Sequence, residues 1–425
     1  MTERTFKICL LGGSNSILCN GLSRGLGSGA TLLNLSLGAS TALQNIYALT
    51  RHHEEIVDSV DVIVTESNVN DAHAVTSAEV PIAQIEDSIR KLYREISLTG
   101  KPAIALLIPI GHFKNPEIPE AVAERVHHFH LTHARAYGVD VIDLNQTLSG
   151  YTTTNRYSNL IMTHSFHPLE SYMYELGLNI TAHLKQTVFP SASRSLQSNY
   201  TALLPTSFCS DTRRKSNSRY RCDLLDLKAP VTIELTDGKC VAISTWSEGL
   251  SELILEGDGV RVVKQFSDQL LFNEFQQTLP RRFTLTSQVG ETQGCTEYSM
   301  HTLKRQTTPT HPVAIEGFLV EKDVVTEPDT TREGKLITHL FPPADVHIAS
   351  VSRALENLEI LPNPEVLSLI EAANELKKRS PSLALALMEI VAKHRSANPA
   401  YKEAVVECRA LVKKRKKSLL RFLRR

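Results

Sequence analysis

Short apolar runs alternate with longer amphipathic segments over residues 1–187. Five of the runs are nearly continuous: FKICLL, LLNLSL, VDVIVTE, AIALLIP and VDVID. Continuous apolar runs of this length are typical of strands that are buried on both faces of a parallel sheet. The segments between them, such as residues 77–97 and 116–138, have the period of amphipathic helices. The pattern predicts an α/β domain over residues 1–187.

The pattern changes after residue 187. Residues 188–221 are rich in Ser, Arg, Asn and Pro, which predicts a linker or a surface excursion. Residues 222–345 contain alternating stretches such as PVTIELTDGKCVAISTW and SELILEGDGVRVVKQF, with DG turn signals. Alternation with closely spaced turns predicts an antiparallel β-sandwich, which would be an accessory domain.

The last segment, residues 346–425, has a helical pattern with Pro-containing turns. Its spacing resembles one tetratricopeptide unit with a flanking helix. Since a single unit cannot bury its own apolar face, we expect it to pack on the rest of the chain or on a partner. The basic end KKRKKSLLRFLRR predicts either a solvated helix or attachment to an anionic membrane surface or a protein partner.

Composition narrows the class of protein. Of the 425 residues, 42% are hydrophobic and 22% are charged, as in soluble globular proteins, and no apolar run is long enough to span a bilayer. The N-terminus lacks a signal-peptide pattern, and seven cysteines without metal-ligand spacing indicate free thiols. We therefore expect a cytoplasmic protein, at most peripheral at the inner membrane face. Zero net charge without a matching motif argues against a nucleic-acid partner.

Polar and small residues follow three of the predicted strands and precede the last helix of the α/β domain. They are Gly12, Gly13, Ser14, Asn15 and Ser16 after the first strand, Gly38 after the second, Asn68, Asn70 and Asp71 after the third, and His164 and His167 before the helix. Because the carboxyl ends of parallel strands meet at one edge, these segments are expected to converge. The glycine-rich segment lacks the spacing and the lysine of a phosphate-binding loop.

These segments together resemble the SGNH (GDSL-type) hydrolase family. The resemblance covers about residues 5–187 and implies a flavodoxin-like parallel sheet. It also implies that Ser14 is the nucleophile, His167 the base, and Ser14, Gly38 and Asn70 the oxyanion donors. A serine hydroxyl needs such a base, and the oxyanion needs such donors.

The sequence departs from the family pattern at two positions. Gly13 stands where an Asp is usual, and His164 stands where an acid normally orients the catalytic histidine. Three alternatives follow: a carbonyl or another acid (Glu170, Glu66 or Asp71) orients His167, the enzyme works as a Ser–His dyad, or the site is inactive. Ser16 is a rival nucleophile.

The predicted function is an acyl-ester enzyme acting on carbohydrate through an acyl-enzyme on Ser14. It would be a polysaccharide O-acetyl esterase or O-acetyltransferase. Hydrolysis requires no cofactor, whereas transfer would use acetyl-CoA as donor. His127, His130 and His133 share a helix face without the further ligands that a zinc site needs, so no metal is expected. The alternative is an inactive scaffold that binds glycan or assists polysaccharide assembly.

Overall fold

The computed structural model of the chain describes most of the first 329 residues and parts of the remainder. The described residues are 6–110, 118–145, 162–164, 167–168, 170–187, 195–300, 308–329, 332–338, 340, 370, 373–374, 377, 381–394 and 402–413. The described residues form a mixed α/β fold, with one parallel sheet, two larger antiparallel sheets and one two-stranded antiparallel pair.

The five apolar runs form the parallel sheet, as predicted. Its strands are β1 (Lys7–Leu11), β2 (Thr31–Asn34), β3 (Val62–Thr65), β4 (Ala103–Leu107) and β5 (Asp140–Asp143). Their order is β2-β1-β3-β4-β5, and every neighbouring pair is parallel. All residues of β3 and β4 are buried, which explains why their sequences are apolar without alternation.

Helices connect and cover these strands. They are α1 (Ser14–Ile17), α2 (Leu22–Gly27), α3 (Ala42–Arg51), α4 (His53–Ser59), α5 (Asn68–Ser77), α6 (Ile82–Leu98), α7 (Glu120–Ala136) and α8 (Glu170–Gln186). A short antiparallel pair, β6 (Met162–His164) and β7 (His167–Pro168), precedes α8. In α6 the buried residues Ile85, Ile89, Leu92 and Ile96 recur at helical spacing, so one apolar stripe faces the sheet.

Ten strands form the two antiparallel sheets. They are β8 (Tyr200–Leu203), β9 (Arg213–Ser216), β10 (Arg221–Asp226), β11 (Val231–Glu234), β12 (Lys239–Thr245), β13 (Ser251–Gly257), β14 (Val260–Phe266), β15 (Leu271–Glu274), β16 (Arg282–Gln288) and β17 (Ala314–Glu321). One sheet has the order β15-β12-β17-β10-β9 with β8 also on β17, and the other has the order β11-β16-β13-β14. Buried residues of both sheets form one apolar cluster.

The predicted linker over 188–221 is partly wrong, because β8 and β9 lie within it. Strand β9 has the polar sequence RRKS, and its arginines pair with acids of β10 across the hairpin: Arg213 with Asp226 and Arg214 with Asp223. These charge pairs let a strongly basic segment form a strand. Residues 188–194 lie outside the described residues.

The predicted boundary at 345 is also wrong, because residues 332–338 return to the parallel sheet. Leu336 bridges Val141 of β5 in parallel, with hydrogen bonds of 2.8 Å from Val141 N to Lys335 O and from Ile337 N to Val141 O. Arg332 pairs with Asp140 at the same edge. The antiparallel sheets are therefore inserted between two segments that both belong to the α/β unit.

Two further helices are described near the C-terminus, α9 (Pro381–His394) and α10 (residues 402–413). Ion pairs link Lys377 to Glu407 and Glu389 to Arg409, and Leu387 and Cys408 belong to the same apolar cluster as the parallel sheet. The tetratricopeptide interpretation stays a prediction, and the basic tail from residue 414 lies outside the described residues. Within the described residues, no helix combines the length and apolar character that a bilayer crossing requires.

Buried charge joins the α/β unit to the antiparallel sheets. Glu316 of β17 is 1% exposed and accepts a hydrogen bond of 2.6 Å from the Tyr47 hydroxyl of α3. It also forms an ion pair with Arg51, whose guanidinium lies over the rings of Tyr47 and Tyr220. Because a buried carboxylate requires compensation, this contact fixes the two units against each other.

Candidate active site

The candidate site lies at the carboxyl ends of β1 and β3. In the strand order β2-β1-β3-β4-β5, the chain leaves the ends of β1 and β3 toward opposite sides of the sheet. Such a switch point opens a crevice in which doubly wound α/β proteins bind ligands. The predicted nucleophile turn follows β1, and the segment with Asn70 follows β3.

The two glycines of the turn after β1 lie close to neighbouring side chains. A Cβ at Gly12 would lie 2.3 Å from Ser16 Oγ, and a Cβ at Gly13 would lie 2.0 Å from Asn70 Nδ2. A side chain at either position would displace the ends of the Ser16 and Asn70 side chains, so glycine lets both keep their places at the turn. The one-turn helix α1 begins immediately afterwards at Ser14.

Ser14 and His167 are in hydrogen-bond contact. The Ser14 Oγ lies 2.6 Å from His167 Nε2, although 153 positions separate the two residues. His167 is in β7, directly before α8, and both residues are half-buried. When the hydroxyl donates to Nε2, this arrangement can transfer the serine proton to the imidazole.

Glu66 lies under the turn, at the end of β3. Its Oε1 accepts hydrogen bonds of 2.8 Å from Gly13 N and from the Ser16 hydroxyl, and Oε2 is buried without a hydrogen-bond partner. Burial raises the pKa of the Glu66 carboxyl to about 7, while the Ser16 and Gly13 hydrogen bonds act to lower it. Glu66 therefore holds the turn that carries Ser14 and does not hydrogen-bond His167, which corrects its interpretation as an orienting acid.

The same contacts show that the Ser16 side chain is buried. Ser16 is 0% exposed and its hydroxyl donates to Glu66, so it does not face the crevice. Its interpretation as a rival nucleophile is wrong for this structure.

Asn70 and Asp71 begin α5 but lie in different surroundings. The Asn70 amide is packed against Gly13, at the crevice. Asp71 is fully buried, and its carboxylate accepts from Ala42 N at 2.8 Å and contacts His130 Nε2 at 2.9 Å. These bonds show that Asp71 anchors α5 to α3 and to His130, and its role as an orienting group for His167 stays a prediction.

Gly38 lies beside the turn, after β2. The preceding residue Leu37 donates its N–H to Gly12 O at 3.1 Å, and a Cβ at Gly38 would meet Ile17 Cδ1 at 3.8 Å. The next residue, Ala39, has a φ of 59°, which turns the chain away toward α3. The segments with Ser14, Gly38 and Asn70 are thus brought together around one turn.

The remaining candidates lie on the His167 side. His164 pairs with His167 across β6 and β7, and its side chain lies outside the described residues. Glu170 begins α8, and its Oε2 accepts a hydrogen bond of 3.0 Å from Asn20 N.

Three histidines of α7 contact different partners. His127 contacts Asp143 at 3.0 Å, His133 contacts Glu86 at 3.7 Å, and the buried His130 contacts both Asp71 and the Tyr93 hydroxyl. The sequence did not indicate the His130–Asp71 contact, because it depends on the packing of α7 against α5. Spacing at i and i+3 places these residues on one helix but does not determine their partners.

A cavity of about 770 Å³ lies along β2 and the segment that follows it, and neither Ser14 nor His167 lines this cavity. Leu37, which bonds Gly12, lies in its wall together with Asn34, Ser36 and Gln44, and Tyr220 closes it from the hairpin of β9 and β10. Its lining therefore combines amide, hydroxyl and aromatic groups next to the Ser14 turn.

The raised pKa of Glu66 predicts a pH-dependent stability. The pKa of this carboxyl is about 7 in the folded protein and 4.5 ordinarily, so the folded state holds the proton more tightly than the unfolded state does. The contribution to stability is therefore complete below pH 4.5 and is lost as the pH rises through 7. The loss is on the order of 3 kcal/mol. Glu66→Gln keeps an accepting oxygen without the titration. We expect a flatter dependence of the free energy of unfolding in this variant, measured with urea from pH 5 to 8, and higher stability than the wild type above pH 7.

The exposed residue Glu54 on α4 provides the matched control. Glu54→Gln should retain the wild-type slope. Equal slopes in wild type and Glu66→Gln would contradict the prediction.

Comparison with protein-family models gave no match, and comparison with curated proteins gave none either. Solved structures gave several similarities. The lipase/acylhydrolase from Enterococcus faecalis is 18% identical, with a TM-score of 0.35 over 44% of this chain and 100% of that chain. The acetyl xylan esterase AlAXEase is 14% identical, with a TM-score of 0.33 over 43% of this chain and 100% of that chain. Axe2, an acetylxylan esterase from Geobacillus stearothermophilus, is 15% identical, with a TM-score of 0.33 over 45% of this chain and 97% of that chain. Because these TM-scores are low, the functional conclusion depends on the site geometry alone.

Proposed function

We propose that the protein is a serine esterase of the SGNH type that removes O-acyl groups, acetyl above all, from carbohydrate. The observation that carries the proposal is the 2.6 Å contact between Ser14 Oγ and His167 Nε2 at the switch point of the parallel sheet. A nucleophile, its base and a glycine-bounded oxyanion pocket are the parts that acyl transfer requires.

In this mechanism His167 Nε2 takes the proton from Ser14 Oγ as that oxygen attacks the ester carbonyl carbon. The carbonyl oxygen becomes an oxyanion, and the Ser14 N–H, the Gly38 N–H and the Asn70 amide donate to it. His167 then returns the proton to the departing sugar oxygen, which leaves an acyl-enzyme on Ser14. Water then attacks the acyl carbon while His167 takes its proton, and His167 returns this proton to Ser14 Oγ as the acyl–oxygen bond breaks and the acid is released.

The imidazolium formed in each half-reaction needs a partner on its other nitrogen. Glu170 and His164 are the candidates for this role, since Glu170 begins the helix after His167 and His164 pairs with it. We assign orientation of His167 to one of these two residues.

A carbohydrate substrate is supported by the lining of the cavity along β2. The exposed Asn34 amide, whose Nδ2 and Oδ1 already bond Ser16 O and Ser36 N, has further hydrogen-bonding capacity for a sugar hydroxyl. The volume of about 770 Å³ accommodates a short oligosaccharide. Transfer of the acyl group to a second sugar hydroxyl, with acetyl-CoA as donor, would use the same acyl-enzyme.

The inactive-scaffold alternative requires a buried Ser14 or a His167 that is turned away. The half-buried Ser14 and its contact with His167 favour the enzyme.

Covalent labelling tests the nucleophile directly. A fluorophosphonate should modify Ser14 of the wild-type chain, and mass spectrometry of the digested protein should find the adduct on the peptide containing Ser14. The reaction should slow by at least about 10²-fold in His167→Ala, because the base is lost. An adduct on Ser16, or none under conditions that label a reference serine esterase, would contradict the proposal.

A further inference from the structure

The cavity beside the Ser14 turn has two kinds of wall. One wall is formed by β2 and α3 of the α/β unit, and the other by Arg219, Tyr220 and Arg221 at the tip and base of the β9–β10 hairpin. The hairpin belongs to the inserted antiparallel sheets, so the cavity exists only where the two units meet.

Three arginines in this lining, Arg24, Arg219 and Arg221, form no ion pair within the described residues, and Arg221 also lines a smaller cavity together with Asp223 and Glu316. Arg24 donates to the Asn20 side-chain oxygen at 3.2 Å, and Arg219 donates to Ile17 O and to Cys19 Sγ, so no carboxylate is among these acceptors. Within the described part of the chain, no Asp or Glu lines the larger cavity.

This is unusual for arginines of this protein. Ten other described arginines are ion-paired: Arg51, Arg90, Arg94, Arg135, Arg213, Arg214, Arg261, Arg281, Arg332 and Arg409. Even Arg51, which also lines the cavity, is compensated by Glu316. Arg125 and Arg282 are the other two described arginines without an ion pair, so the cavity lining holds three of the five.

Guanidinium groups without an ion pair around a concave surface attract anions and bind their oxygens in a forked geometry. We infer that this cavity binds an anionic group, a carboxylate or a phosphate, on the sugar portion of the ester substrate. This inference rests on the proposed esterase function and names its substrate class as an acidic saccharide.

The position of Arg219 connects the anion to the chemistry. Its guanidinium bonds the carbonyl of Ile17, the last residue of the short helix that Ser14 begins. An anion held beside Arg219 would thus lie at the end of the short helix whose first residue is Ser14. The saccharide would extend from the acetylated hydroxyl at Ser14 to the cationic cavity.

Kinetics of the full-length protein provide the first test. At low salt, we expect the ratio of kcat/KM for O-acetylated tri-galacturonate to kcat/KM for O-acetylated xylotriose to be about ten or more. At 0.5 M NaCl, where charge is screened, this ratio should fall toward one. In the double variant Arg24→Gln/Arg221→Gln, this ratio should fall about tenfold. Both residues are exposed, so the fold should tolerate the changes. Arg261→Gln, an exposed arginine on β14 outside the cavity, should keep the wild-type ratio.

A ratio near one in the wild type, or a preference that survives in the double variant, would overturn the inference. Turnover of p-nitrophenyl acetate by the wild type tests the esterase function separately, because that substrate carries no anionic group. Activity on it without an acidic preference would reject the cavity assignment and keep the esterase.

Calorimetric binding measurements test the anion-binding cavity independently of the esterase activity. Unacetylated tri-galacturonate or glucose 6-phosphate should bind the wild type and lose about tenfold in affinity in the double variant, whereas xylotriose should bind both equally. Binding of the galacturonate identifies a carboxylate site, and binding of glucose 6-phosphate alone identifies a phosphate site. Failure of both anions to bind would overturn the inference even if the esterase is active.

Discussion

Replacing Ser14 with alanine is expected to lower turnover of p-nitrophenyl acetate by on the order of 10⁴-fold, because the acyl-enzyme can no longer form. The hydroxyl lies 2.6 Å from His167 Nε2 on a half-buried turn, so its removal deletes the reacting atom and disturbs little else. Initial rates with purified wild type and variant, together with urea unfolding midpoints, measure the effect.

Ser16→Ala is the matched control, since Ser16 lies on the same turn. Its hydroxyl donates to buried Glu66, so the variant loses one structural hydrogen bond, worth about 1 kcal/mol of stability, and should retain activity within about tenfold. Comparable losses in the two variants, or full activity in Ser14→Ala, would reject Ser14 as the nucleophile.

Asn70→Ala is expected to lower kcat for the same ester by about 10²–10³-fold with little change in KM. The Asn70 amide is packed against Gly13, next to the position where the oxyanion would form. A donor that acts only on the transition state changes kcat and leaves ground-state binding intact. Steady-state kinetics over a wide ester concentration range separate the two parameters.

Asn68 on the same helix turn provides the comparison. Its side chain exchanges two hydrogen bonds with the backbone of Ile108, a donated bond of 2.7 Å and an accepted bond of 3.1 Å. Asn68→Ala should therefore lower the urea midpoint more than kcat. If Asn70→Ala loses no more kcat than Asn68→Ala, or if its defect is entirely in KM, Asn70 is not an oxyanion donor.

The parallel sheet was predictable because burial on both faces leaves a continuous apolar run, as in AIALLIP of β4. The meeting of the segments with Ser14, Gly38 and Asn70 followed from the same prediction, since parallel strands present their carboxyl ends at one edge. The contact of Glu66 with Gly13 and Ser16 was not predictable, because it depends on the three-dimensional course of a five-residue turn.

The polar strands and the domain boundaries were missed for a related reason. Strand β9 is stabilised by acids of β10 and not by apolar alternation, so its sequence is typical of a loop. The return of residues 332–338 to β5 is a pairing across nearly 200 positions, for which the seven-residue segment carries no local signal.

That return has a mechanical consequence. The antiparallel sheets are joined to the α/β unit at both ends of the insertion. A hinge motion of these sheets relative to the α/β unit must therefore strain both connections. Two side-chain contacts add further restraints: Glu95 accepts hydrogen bonds from Asn199 at the entrance to the insertion, and Glu316 bonds Tyr47 and Arg51 of α3. These contacts restrain the spacing across the cavity between α3 and the hairpin. Ligand selection should depend on a rigid gap that is preorganised before the ligand arrives, with little entropy lost on closure.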